Sequence, residues 1–320
     1  MLREASMENP DQIKLFDQGG HGCLFYPGIS CDGTPEDSKY ITKIHAISTY
    51  QQNEIYISSK IKQIERFTQY FSPIISSCKI DLAEVNNTEV NKCDFIRKYP
   101  NKDKKYMSTK TLFITGISYA KYLNVDSTAI FIGEIYKKLI IATKKLASKG
   151  ICHFDIKDSN IIIKSKTNNP IIIDFGISFI PDEVNTDAEY KHAFYVYSSD
   201  YRPWSIDIVI ISYLVQKYDL NTNPPLDNND IEEMIQIITI KLAEIENIYN
   251  KKFDTYRNTK IDTIKSYANT PCKKVVDELK KNYIHWDKYS VAIMTQSIAQ
   301  HYNITFSQKI QRQIEAQILY

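Results

Sequence analysis

Residues 151–163 read ICHFDIKDSNIII, and DFG follows at 174–176. An acid (Asp155), a cation (Lys157) and an amide (Asn160) are crowded together, and a second acid, Asp174, closes the next apolar run. Upstream, STAIFIGEIYKKLIIATKKLASKG (127–150) repeats apolar residues at helical spacing and stops at Gly150, a natural C′ residue. Downstream, NIIIK (160–164) and PIIID (170–174) read as short strands around the turn-like SKTNN. The order is therefore helix, loop, strand, turn, strand. The polar residues fall on loops at element ends, where a rigid scaffold presents reactive groups.

Working outward, residues 1–12 read as a loose tail, and 13–48 as short strands broken by turns: IKLF, then CLFY, then KYITKIHAI. Residues 50–68 read as a helix with Ile57, Ile61, Ile64 and Phe67 on one face. YFSPIISSCKI and KTLFITGI read as further strands, with a Lys/Asn-rich loop or exposed hairpin between them at about 86–110. From about 203 onward the pattern is mainly helical. The expected class is α+β: a small antiparallel-sheet part at about 13–118 and a larger, mainly helical part at about 119–320.

The 320 residues suffice for a sizeable core in one large domain or two lobes. With 40 basic and 38 acidic residues, the net charge of +2 gives no electrostatic reason to expect nucleic acid or an anionic membrane as a partner. The apolar runs, IDIVIISYLV at 206–215 among them, are too short to span a bilayer. Cys23, Cys31, Cys78, Cys93, Cys152 and Cys272 form no C-x-x-C pair and have no zinc-ligand spacing. They read as reduced thiols, and a reducing, cytoplasmic setting follows from that reading.

The carboxylates and the amide suit phosphoryl transfer from a nucleotide. That chemistry needs a group to orient an attacking hydroxyl, hard oxygen ligands for Mg²⁺, and positive charge for the phosphates. HFDIKDSN followed by DFG resembles the catalytic and metal loops of eukaryotic-type serine/threonine protein kinases, of the divergent kind found in large DNA viruses. The competing reading makes Asp155 a loop cap and Asp174 a turn former. The resemblance implies a two-lobed fold with ATP and Mg²⁺ bound between the lobes. Asp155 would orient the acceptor hydroxyl, Lys157 would stabilise the transferring group, and Asn160 and Asp174 would hold the metal. It also implies protein substrates with serine or threonine acceptors, and host cytoplasm or the virion as the location for a viral enzyme.

The same resemblance makes demands upstream. DQGGHGCL (17–24) stands where a glycine-rich phosphate loop is expected, with Gly19, Gly20 and Gly22 as its permissive positions and Asp17 in place of a glycine. Tyr40-Ile41-Thr42-Lys43 stands where the family carries V-A-I-K, so Lys43 would reach the phosphates; Lys39 is the competing lysine. Glu54, three residues before Ile57 on the apolar stripe, is the expected partner of Lys43. Leu24, Ile41 and Ile162 would line the adenine site by resemblance.

Two further features depart from the pattern. Phe154 replaces the Arg of H-R-D, which in the family reads a phosphate on the activation segment. YRPW (201–204) stands in place of A-P-E. Ser198 lies near the place of a hydroxyl that touches the catalytic Asp and Lys. Asp207 matches the buried acid expected to hold the backbone around His153. A pseudokinase scaffold and a small-molecule kinase are the alternative functions, the former suggested by Asp17, Phe154 and the missing A-P-E.

Overall fold

The computed structural model describes residues 12–20, 22–82, 85, 88–98, 105–246 and 253–320. All but the last residue of the expected N-terminal tail lies outside these. The chain divides into two compact units: residues 1–116 with Ile173–Gly176, and Ile117–Ile172 with Ile177–Tyr320. The first is built on a five-stranded antiparallel sheet and the second is mainly helical, so the class is α+β. Among the described residues no helix is long and apolar enough to cross a membrane.

In the first unit the elements are β1 (Lys14–Gly19), β2 (Gly22–Tyr26), β3 (Tyr40–His45), α1 (Thr49–Ile61), β4 (Ser76–Asp81), α2 (Asp94–Lys98) and β5 (Lys105–Leu112); β6 (Gly116–Ser118) starts where residues 1–116 end and belongs to the small sheet of the second unit. The sheet order is β1-β2-β3-β5-β4. Period-two alternation puts Cys23 and Phe25 of β2, Ile44 of β3, Ile80 of β4 and Tyr106 of β5 into one core with Ile13, Ile29, Val90 and Cys93. Gly19 pairs with Gly22, so β1 and β2 form a tight hairpin. Gly22 has φ +152°, and a Cβ there would lie 2.5 Å from the Ile44 carbonyl oxygen and 2.9 Å from the His45 Cβ. Close packing on β3 is what demands this glycine. Gly19 and Gly20 have open space around them.

α1 ends earlier than the expected 50–68. Lys62 is its C-cap, and Arg66 turns into the left-handed region at φ 56°. Ile57, Ile61 and Ile64 are buried as expected, while Phe67 belongs to a separate short 3₁₀ turn. The expected loop at 86–110 also needs correction. It contains α2, a buried Val90 and a buried Cys93, and β5 already begins at Lys105.

The cysteines depart most from expectation. Cys23 is bonded to Cys93 and Cys31 to Cys78, leaving Cys152 and Cys272 as buried free thiols. The partners lie 70 and 47 positions apart, so no local spacing announces them. The tertiary fold brings β2 beside the segment before α2, and the loop after β2 beside β4. The reduced-thiol reading is wrong for four of the six, and the reducing compartment drawn from it loses its basis. In the chain-entropy account the longer loop is worth about 4 kcal/mol, and the second bridge, nested inside it, adds less.

The second unit comprises α3 (Tyr119–Tyr122), α4 (Ala129–Ala147), β7 (Ile161–Lys164), β8 (Pro170–Ile172), α5 (Asp187–Ala193), α6 (Ile206–Lys217), α7 (Asn228–Glu246), α8 (Phe253–Lys265), α9 (Cys272–Lys280), α10 (Tyr283–His301) and α11 (Gln308–Ile318). Thr128 caps α4 by accepting the Phe131 N–H. Gly150 ends it at φ 70°, with the Ile151 N–H returning to the Leu146 carbonyl at 3.1 Å, as its position after the amphipathic run implied. α4 packs on α10, α10 on α11, and α6 on α7 and α9. β7 and β8 form the expected antiparallel pair, with Ile161 opposite Ile172.

Two outcomes test this architecture. Thiol titration of the unfolded, unreduced chain should find two thiols, rising to six after reduction. Gly22→Ala should lower unfolding stability by about 2–3 kcal/mol, while Gly19→Ala and Gly20→Ala should each change it by less than about 1 kcal/mol.

Candidate functional site

Asp287, fully enclosed in α10, organises the loop at 152–155. Its carboxylate accepts the His153 N–H at 2.8 Å, the Phe154 N–H at 3.1 Å and the Cys152 thiol at 3.6 Å. Burial pushes its carboxyl above the usual carboxylate range, and His153 with the two backbone donors pulls the other way. The expected holder of this backbone was Asp207. That residue is buried, but it accepts from Asn282 Nδ2 and the Tyr320 hydroxyl. The assignment therefore passes to Asp287. Its signal was in the sequence: Asp287, Val291 and Met294 share helical spacing and all are buried.

His153 is buried and structural. Its Nδ1 accepts the Asp155 N–H at 3.2 Å, and its carbonyl accepts the Ser178 hydroxyl at 3.0 Å. Beyond it, Asp155, Lys157 and Asn160 come together. Lys157 Nζ lies 2.8 Å from Asp155 Oδ2, and Asn160 Nδ2 donates to the same oxygen at 2.9 Å and to the Asp155 carbonyl at 3.0 Å. Both amide hydrogens of Asn160 are thus committed, which leaves its Oδ1 as the free acceptor. Asp155 Oδ1 accepts the Tyr201 hydroxyl at 2.6 Å. Ser198, the hydroxyl expected near Asp155, instead donates to Asp200 at 2.6 Å. Tyr201 comes to the site from 46 positions along the chain, which spacing does not reveal.

Phe154 is buried with φ 70°. Its ring lies 5.1 Å from Phe179, 5.5 Å from Phe194 and 5.0 Å from Trp204. Position 154 is thus part of an aromatic block. The hydroxyls of the 174–203 segment are also largely structural. Ser178 and Tyr190 are buried, and Thr186 caps α5 in a capping box with Glu189. In YRPW, Trp204 Nε1 donates to the Phe154 carbonyl at 2.9 Å, and Arg202 lies 3.9 Å from Glu244 of α7.

The remaining expected residues fall in the sheet unit, apart from Ile162, which is half-buried on β7 in the helical one. Lys43 is half-buried on β3 opposite Leu24 and beside buried Ile41. Lys39 is exposed and pairs with Asp37 at 3.1 Å, so it is no rival. Gly19, Gly20 and Gly22 lie in or beside the β1–β2 hairpin; His21, between the latter two, is outside the described residues. Asp174 is exposed, has φ 64°, and accepts the Gly176 N–H at 3.3 Å on Oδ1. Phe175 is buried, 6.2 Å from Phe71.

Glu54 and Lys43 make no ion pair within the 4.0 Å limit among the described residues. Their fields still meet. Burial raises the Glu54 carboxyl to about 7; Lys43 pulls it down and Asp174 pushes it further up. The two residues expected to hold a metal, Asn160 and Asp174, fall in the helical and the sheet unit respectively. Both carry hard oxygen donors of the kind Mg²⁺ takes when substrate phosphates and water complete its shell. Among the described residues no group of three or more His, Cys, Asp and Glu forms a metal cage of its own. Comparison with protein-family models and with curated proteins finds no match to this chain.

Two substitutions probe these groups. Asp287→Ala strands two buried N–H groups and should cost about 3–5 kcal/mol in chemical unfolding. For Glu54 the folded-state pKa lies above the unfolded one, so the folded state holds the extra proton between pH 4.5 and about 7. Its contribution to stability therefore falls as pH rises through that window. Glu54→Gln should match wild type below pH 4.5 and exceed it by about 2–3 kcal/mol above pH 7 in urea titrations.

Proposed function

We propose that this chain is a serine/threonine protein kinase with a two-lobed kinase fold, transferring the γ-phosphate of Mg·ATP to protein hydroxyls. The observation that carries the reading is the bonded set on one loop: Asp155 flanked by Lys157 and by an Asn160 whose amide nitrogen donates to both the carboxylate and the carbonyl of Asp155. A loop cap or a turn former has no need of a lysine and an oriented amide on one carboxylate oxygen.

In this reading Asp155 accepts the hydrogen bond of the acceptor hydroxyl and orients its oxygen toward phosphorus. The O–P bond forms as the bond to the β-phosphate oxygen breaks. The hydroxyl proton passes to Asp155, and ADP leaves with the electron pair. Lys157, about two-fifths exposed, neutralises charge building on the transferred group. Asn160 and Asp174 would hold Mg²⁺, and the ion would supply positive charge to the phosphate oxygens. Lys43 takes the non-reacting phosphates, and Leu24, Ile41 and Ile162 supply apolar surface for the base. Phe154 leaves the activation segment without its phosphate-reading arginine, so activity should not need phosphorylation there.

A second reading, a nucleotide-binding scaffold without turnover, draws on the missing contact between Lys43 and Glu54. The two separate in one assay. Purified protein with Mg·ATP and mixed serine, threonine and tyrosine peptides should phosphorylate serine or threonine, and Asp155→Asn should lose about 10²–10⁴-fold of that rate. Magnesium-dependent nucleotide binding with no transfer to any peptide would favour the scaffold.

A further inference from the structure

The segment Tyr201–Trp204 is tied down at every residue. Besides the Arg202 and Trp204 contacts, Ser290 donates to the Pro203 carbonyl at 2.6 Å, and Lys241 Nζ donates to the Tyr201 carbonyl at 2.5 Å. Lys241 is wholly buried, on the same stripe of α7 as Met234, Ile238 and Ile245. A lysine in such a place is costly. Burial pulls its ammonium down to about 8, opposed by Glu244 at 3.6 Å. The Tyr201 carbonyl is its main-chain partner. At the other end of the residue, the Tyr201 phenol donates to Asp155 Oδ1. Burial and the neighbouring Asp155 hold that phenol well above its usual range, so it stays a donor.

Counting lone pairs shows what this does to Asp155. Oδ2 has two acceptor sites, and Lys157 and Asn160 take both. Oδ1 has two, and Tyr201 takes one. One site remains. We infer that Tyr201, anchored through its carbonyl by the buried Lys241, is a positioning residue that fixes the Asp155 carboxylate and leaves a single lone pair on Oδ1 for the acceptor hydroxyl. This deepens the kinase reading and rests on it. The substrate hydroxyl must approach beside the phenol, which defines one edge of the acceptor site.

The test compares Tyr201→Phe, Lys241→Met and the double variant with wild type in steady-state peptide phosphorylation and in thermal unfolding. Tyr201→Phe keeps the ring and removes only the donor. It should lower kcat by about 10–100-fold while the KM for ATP stays within about twofold, the signature of a misoriented reacting group. Lys241→Met should lower kcat in the same way, and the double variant should be no worse than the poorer single variant, since both act on one contact. If Lys241→Met does not fold, Lys241→Gln, which retains a donor, takes its place. A Tyr201→Phe enzyme with wild-type kcat overturns the proposal, and additive losses overturn the part played by Lys241. If wild type phosphorylates no peptide, the kinase reading fails by itself. Hydrogen exchange of peptides covering 153–160 then decides the positioning claim: faster exchange in both variants supports it, and unchanged exchange overturns it.

Discussion

A buried carboxylate holds the loop on which the candidate site depends. Asp287 meets two consecutive backbone N–H groups and a thiol, and so fixes the chain at 152–154 before any reactive side chain is considered. Backbone donors inside a protein must find acceptors, and for the His153 and Phe154 N–H groups this carboxylate is the acceptor. The price of burying the acid is met by these donors and by His153. With 152–154 held, Asp155 leaves the loop at a set angle, and Lys157 and Asn160 close on its outer oxygen.

The second constraint is apolar. Phe154 adopts a left-handed backbone that a side chain rarely takes, and it keeps it because Asp287 binds its N–H while Phe179, Phe194 and Trp204 enclose its ring. In the kinase reading an arginine there would need an anion to satisfy it. A phenylalanine needs only neighbours. Around it, the capping box of α5 and the Lys241 contact to the Tyr201 carbonyl hold further parts of the chain by hydrogen bonds.

The sheet unit solves a separate problem. Its core is small, and two bridges tie β2 and the loop after it to segments far along the chain. Gly22 belongs to this packing. Its missing side chain lets β2 close on β3, and the two flanking glycines at 19 and 20 are the ones that leave backbone open. The same unit gathers Lys43, Glu54 and Asp174 in one electrostatic field, with Glu54 half-titrated near neutrality as a result.

Local patterns in the sequence determined much of this protein by themselves. The amphipathic run at 127–149 and Gly150, the isoleucine strands around SKTNN, and the period-two strands at the front all depend on neighbours a few positions apart, and they appear where the sequence put them. The grouping of Asp155, Lys157 and Asn160 was legible for the same reason, since one loop carries all three. What only tertiary structure decided involves partners distant in sequence. Cys23 and Cys31 find theirs across the fold, Asp287 displaces Asp207 as the holder of His153, and Tyr201 displaces Ser198 beside Asp155. Hydrogen bonds and disulfides form between groups that the fold brings within a few ångströms, and separation along the chain carries no record of that distance.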